Sequence, residues 1–92
     1  MPITVYLSGH LKGFSDGETE IILPGEFATV ADLLESVWQK HLGLRDRILT
    51  EQGEIRQHVN IYLGSDDVRR LEGLTTPLDE NELHIFNAVS GG

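Results

Sequence analysis

The chain has 92 residues, which suits one small domain. It contains no cysteine, and this excludes disulfides, thiolate metal sites and a thiol nucleophile. Seven Lys and Arg against fifteen Asp and Glu give a formal net charge of −8, which makes nucleic acid a poor partner because phosphate binding needs a cationic surface.

No segment of the sequence is typical of a membrane protein or a secreted one. No apolar run approaches the ~20 residues that span a bilayer. Residues 1–4 lack the basic and apolar regions of a signal peptide. We therefore expect a cytoplasmic protein with no membrane partner.

Two strands are predicted near the N-terminus. Residues 3–7 alternate apolar with polar or amphipathic side chains, the pattern of a half-buried strand. Residues 20–23 form a short second strand that can pair with the first as a hairpin. Glycines supply turns in the connection between them.

One amphipathic helix follows. Apolar side chains spaced three and four apart predict a helix over residues 30–42, with Leu42 as the last member of its apolar stripe. Thr29 is the predicted N-cap and Gly43 the predicted C-cap. Trp38 lies in the stripe, so we expect it in the core.

The second half of the chain is predicted to be mostly strand and loop. Residues 44–57 are predicted to be irregular, with one helical turn around residues 46–49 and a turn at Gly53. Residues 59–63 alternate and predict a central strand, followed by a turn at residues 64–67. Residues 68–70 are a candidate short edge strand, whose arginines would discourage pairing with other chains. Residues 83–86 predict the last strand.

The order strand, strand, helix, strand, short strand, strand indicates an α+β fold. One main helix cannot cover both faces of a doubly wound sheet, so a mixed sheet packed on that helix, the β-grasp or ubiquitin-like arrangement, is the economical solution. We expect the first and last strands to pair in parallel at its centre. A ferredoxin-like fold is disfavoured because it needs a second long helix.

Three aromatic side chains are expected on the outward face of this sheet. The strand alternation turns Tyr6, Tyr62 and Phe86 away from the helix. If they form a contiguous patch, it is a candidate partner-docking surface; scattered exposed aromatic residues would need no explanation.

No catalytic or metal-binding constellation is apparent. The four histidines occupy different predicted elements without metal-ligand spacing; they are His10, His41, His58 and His84. There is no phosphate-binding glycine motif and no nucleophile elbow. We therefore predict no metal site and no cofactor.

The C-terminal residues are the remaining candidate site. The chain ends in Gly91 and Gly92, and residues that lack a Cβ make a slim segment able to enter a narrow channel. We divide the chain into a β-grasp domain over residues 1–88 and a flexible tail over residues 89–92. The alternative is an end that is merely frayed.

Several segments carry a resemblance to a known family. They are Val59-Asn60-Ile61-Tyr62-Leu63, Asp66-Asp67-Val68-Arg69, Gly73-Leu74, Thr76-Pro77-Leu78 and Asn87-Ala88-Val89-Ser90-Gly91-Gly92. Together they resemble the ubiquitin-like sulfur carriers of the MoaD/ThiS family. The long segment 44–57 is most similar to the CysO-like branch. Two positions depart from the family pattern: residues 79–82 lack a glycine, and Asn87 stands where proline is common.

The resemblance implies a carrier and not an enzyme. An adenylyltransferase related to ubiquitin-activating enzymes, of the MoeB/ThiF type, would adenylate the carboxylate of Gly92. Conversion to a thiocarboxylate would follow, and the sulfur would pass to a biosynthetic enzyme of cysteine, molybdopterin or related synthesis. Gly91 would be the flexible neighbour, and Phe86 part of the docking face.

Two other functions fit the same sequence. The tail could be conjugated to lysines, which would make the chain a ubiquitin-like protein modifier. The domain could also be a non-catalytic interaction module with an inert tail.

Overall fold

The computed structural model describes residues 2–87, which form five strands, two α-helices and three short 3₁₀ helices. Strands and α-helices follow in the order β1 (Ile3–Leu7), β2 (Glu20–Leu23), α1 (Val30–Lys40), α2 (Leu42–Ile48), β3 (Val59–Leu63), β4 (Asp66–Asp67) and β5 (Glu82–Asn87). The 3₁₀ helices span Gly9–Phe14, Val68–Arg70 and Gly73–Thr75.

One mixed sheet runs through the molecule in the order β2-β1-β5-β3-β4. β1 pairs with β5 in parallel, in the register Val5 with Leu83. The other pairings are antiparallel, including β3 with β5, where Ile61 lies opposite Ile85. The predicted β-grasp arrangement and its central parallel pair are confirmed.

α1 packs its apolar stripe against one face of the sheet. Val30, Leu33, Leu34, Val37 and Trp38 are buried in the same core as the inward side chains of the strands. At the start of the helix the side-chain oxygen of its N-cap residue accepts a hydrogen bond from the backbone N–H of Asp32, at 3.3 Å. This supplies a partner for one of the unpaired N–H groups that every helix start leaves. The predicted cap and the core position of the tryptophan are both confirmed.

The predicted end of the helix was wrong. α1 stops at Lys40, because the backbone of His41 leaves the helical region and α2 begins at Leu42. Gly43 lies inside α2 and caps nothing. The side chain of Leu42 is 77% exposed, so it does not belong to the apolar stripe. The helical turn predicted around residues 46–49 is the end of a longer helix, which begins at Leu42 and ends at Ile48.

The edge of the sheet also differs from the prediction. The predicted turn contains β4, and the predicted edge strand is the 3₁₀ helix Val68–Arg70. The carboxylate of Asp67 accepts a hydrogen bond from the backbone N–H of Arg69 at 2.9 Å, which caps that helix. Val68 is fully buried and anchors the turn to the core. Capping thus ends the strand after two residues.

Among residues 2–87, no helix has the length and apolar character needed to cross a membrane.

The contrast between two leucines provides a test of this fold. Leu34 is 1% exposed and Leu42 is 77% exposed. We expect Leu34→Ala to lower the free energy of unfolding by about 2–5 kcal/mol, because it leaves a cavity in the core. Leu42→Ala should change the same quantity by less than about 0.5 kcal/mol. Urea unfolding of both variants measures the difference, and equal losses would contradict the exposed position of Leu42.

Candidate functional site

The face of the sheet turned away from α1 carries the predicted aromatic residues. Along β5, Leu83 and Ile85 are buried, whereas His84 is half-buried and Phe86 is 36% exposed. Tyr6 in β1 and Tyr62 in β3 alternate with buried neighbours in the same way. The strand period of two therefore places all these rings on one surface.

The strand register brings the rings together. His84 of β5 lies opposite Tyr6 on one side and Tyr62 on the other. Tyr6 and His84 stack with their ring centroids 4.8 Å apart and an interplanar angle of 11°. Tyr62 and Phe86 lie 5.4 Å apart at 35°. We name the surface formed by Tyr6, Tyr62, His84 and Phe86 the aromatic face.

His84 is the member of the aromatic face that sequence reasoning missed. The alternation along β5 turns its side chain outward like that of Phe86, and this is the sequence signal that could have included it. Its position between two tyrosines depends on the pairing of strands far apart in the chain. The ring also lies 3.4 Å, through Nε2, from Oε1 of Glu82.

The border of the aromatic face is both apolar and acidic. Ile22 of β2 lies opposite Thr4 and is 58% exposed, so it extends the apolar surface beyond Tyr6. Removal of water around the Tyr6 hydroxyl raises its pKa above the usual value of 10.0, and the negative charges of Glu82 and Glu20 add to this effect. The Tyr6 hydroxyl can donate a hydrogen bond.

The predicted tail lies outside the described residues. This applies to Gly91 and Gly92 and to the boundary placed after residue 88. The last described residue is Asn87, which ends β5 opposite Val59. Phe86 is thus the residue of the aromatic face nearest to the C-terminus in sequence.

The histidines do not assemble into a metal site in the part of the chain that the structure describes. His41 contacts two carboxylates: its Nε2 lies 2.9 Å from Glu18 and its Nδ1 lies 3.8 Å from Asp16. Between residues 2 and 87, no group of three or more His, Asp or Glu residues is arranged to hold a metal ion. The contacts of His41 instead join the helix junction to the loop before β2.

Comparison with known proteins identifies a family and several similar chains. The sequence matches the ThiS family over residues 5–92. It is 27% identical over 95 residues to the sulfur carrier protein CysO of Mycobacterium bovis, with both chains covered completely. It is 38% identical over 66 residues to small archaeal modifier protein 3 of Haloferax volcanii, which is 71% of each chain.

A solved structure agrees with these matches. A chain in the crystal structure of the BexX/CysO complex of Amycolatopsis orientalis superposes with a TM-score of 0.85 at 30% identity. The superposition covers 98% of this chain and 99% of that one. The similar proteins are thus sulfur carriers and small modifier proteins, and the present chain belongs to the ThiS family.

Proposed function

We propose that the chain is a sulfur carrier whose C-terminal residue, Gly92, is the site of chemistry. The carboxylate of Gly92 attacks the α-phosphorus of ATP on an adenylyltransferase of the MoeB/ThiF type, and pyrophosphate leaves. Sulfide (HS⁻) then attacks the acyl carbon, the acyl–phosphate bond breaks with AMP as the leaving group, and loss of the S–H proton leaves a thiocarboxylate at the terminus. A biosynthetic enzyme of cysteine, molybdopterin or related synthesis accepts the sulfur.

The observation that carries this proposal is the full-length match to a sulfur carrier, CysO. The chemistry of the chain is compatible with it. With no cysteine present, carried sulfur has no side-chain thiol on which to sit. Glycine has no side chain to crowd the acyl carbon. The chain itself then needs no catalytic group, because one partner enzyme activates the carboxylate and another accepts the sulfur.

The aromatic face is the proposed docking surface for these partners. Tyr6, Tyr62 and Phe86 present apolar rings that lose water when a partner covers them, and aromatic residues dominate the energetics of many interfaces. Phe86 precedes the proposed reactive residue by six positions. A partner seated on the face would therefore hold the start of the tail close to its own active site.

The acceptor is proposed to be a second protein that binds the folded carrier. The similar chain of Amycolatopsis orientalis comes from a complex of CysO with BexX. By analogy, the thiocarboxylate of the present chain would be delivered within such a complex.

A protein modifier is the second candidate function. The match to small archaeal modifier protein 3 favours it, since that relative has the higher identity over the aligned part. Here the lysine side-chain amine of a target protein would attack the acyl carbon of the Gly92 adenylate, releasing AMP and a proton and forming an isopeptide bond. Lysine-linked conjugates in lysates would distinguish this function from sulfur transfer.

Extending the chain by one residue after Gly92 tests the reactive position. We expect the extended variant to fold normally but to give no thiocarboxylate, because the carboxylate is then displaced by one residue within the enzyme. The measurement is intact mass after incubation with a cognate adenylyltransferase, ATP and sulfide. The unextended chain should gain the mass of one sulfur in exchange for one oxygen. Equal conversion of the extended variant would refute the role of Gly92.

Phe86→Arg tests the docking surface. A charged side chain in the middle of an apolar contact must be desolvated, so we expect affinity for the adenylyltransferase to fall about tenfold or more. Gln39→Arg is the matched control, since Gln39 is exposed on α1 and the charge change is the same. Calorimetry would measure both affinities. Equal affinities for the two variants would remove Phe86 from the docking surface.

A further inference from the structure

Positive charge is unevenly distributed along the chain. Residues 45–70 contain five of the seven Lys and Arg but only five of the fifteen Asp and Glu. The rest of the sequence has two cationic residues against ten acidic ones. The net charge of −8 therefore arises outside this segment, which includes the second half of α2 together with β3 and β4.

A groove of about 640 Å³ opens where this segment meets the end of β5. Its lining includes Arg47 from α2, Arg56 and His58 from the loop before β3, and Asn87 from β5. We name these four residues and the space between them the basic groove. Among the described residues that line it, Asp46 is the one acidic residue; its side chain is 82% exposed and lies 3.5 Å from Arg45.

The arginines at this end are held by uncharged partners. Arg56 donates from Nε to the backbone carbonyl of Asp46 at 2.8 Å. The guanidinium carbon of Arg47 lies 4.5 Å from the centre of the Phe14 ring, a cation–π contact that keeps its charge. These contacts orient both side chains without neutralising them.

A third arginine extends this positive charge toward the aromatic face. Arg69 donates to the backbone carbonyl of Arg56 at 2.6 Å and to Oδ1 of Asn60 at 3.3 Å. Asn60 lies opposite Phe86 in the pairing of β3 with β5. The basic groove and the aromatic face are therefore neighbouring surfaces, and Arg69 lies between them.

None of these three guanidinium groups has a carboxylate within 4.0 Å among residues 2–87. In a chain with about twice as many acidic as basic residues, chance alone would favour a carboxylate close to each arginine. Guanidinium groups that are fixed in place and have no carboxylate partner among the described residues are suited to bind carboxylates supplied by another molecule.

We infer that the basic groove binds an acidic segment of the protein that docks on the aromatic face. Side chains from α2 and from the loop before β3 line a volume larger than a single phosphate, which fits several carboxylates spaced along a peptide. The acidic remainder of the carrier repels the same segment, so the groove determines the orientation of the partner. The identification of the partner as a sulfur-transfer enzyme rests on the proposed function. The binding of an acidic peptide to the basic groove does not depend on that function.

A titration of the full ¹⁵N-labelled chain with a hexaglutamate peptide tests the inference. We expect saturable changes in the backbone amide signals of residues 46–59 and 86–87. The changes should weaken as NaCl rises from about 0.02 M to about 0.3 M, because salt screens exposed charge pairs. The result is independent of activation of Gly92, so it separates this inference from the sulfur-carrier proposal.

Three substitutions sharpen the test. Arg47→Gln and Arg56→Gln should each weaken peptide binding about fivefold, the upper range for an exposed ion pair. Lys40→Gln removes the same charge from an exposed position at the end of α1 and should leave binding unchanged.

Arg56→Lys keeps the charge and should retain most of the affinity, which separates lost charge from a disturbed loop. Three outcomes would overturn the inference: no amide changes in the groove, equal weakening by Lys40→Gln, or the same changes with inorganic phosphate at the same concentration. The last result would indicate a site for small anions.

Discussion

The parallel pairing of β1 with β5 is the constraint on which the rest of the structure depends. Parallel neighbours cannot be joined by a tight turn, so the chain between them must cross over the sheet. Here the chain between them contains β2, which pairs with β1, followed by both α-helices and the strands β3 and β4. The pairing thereby places the first and last strands at the centre and lays α1 across one face.

The same pairing creates the candidate site. It sets Tyr6 beside His84, and the antiparallel pairing of β3 on the other side of β5 adds Tyr62. One face of the sheet thus packs in the core, where Val5, Ile61 and Ile85 are almost fully buried. The other face carries the aromatic face, which is the proposed docking surface. If that proposal holds, stability and recognition depend on opposite sides of the same strands.

Sequence reasoning succeeded where the physical signal is local. Alternation in residues 3–7 and 59–63 located two strands, and the spacing of apolar residues located α1. The outward directions of Tyr6, Tyr62 and Phe86 followed from the same alternation. These features depend on neighbours within a few positions, which a single sequence displays.

Prediction from the sequence failed mainly where contacts between residues far apart in the chain decide the structure. The apolar spacing continues through Leu42, but the chain bends at His41, whose ring lies 2.9 Å from Glu18, 23 positions away. The 3₁₀ turn at residues 68–70 is a local exception, because Asp67 caps it through the backbone N–H of Arg69, only two positions away. The position of His84 between two tyrosines depends on the strand register, which the sequence alone does not give. The contact of Arg69 with Asn60 likewise joins residues nine positions apart. The proposed roles of Gly91 and Gly92 remain sequence predictions.

The central position of β5 has a mechanical consequence. Because β5 has hydrogen-bonded neighbours on both edges, a pull on its C-terminal end along the strand must shear two ladders together. A terminal strand at the edge of a sheet would have one ladder to resist the same force. The fold should therefore resist partial unfolding when a force is applied to the residues that follow Asn87.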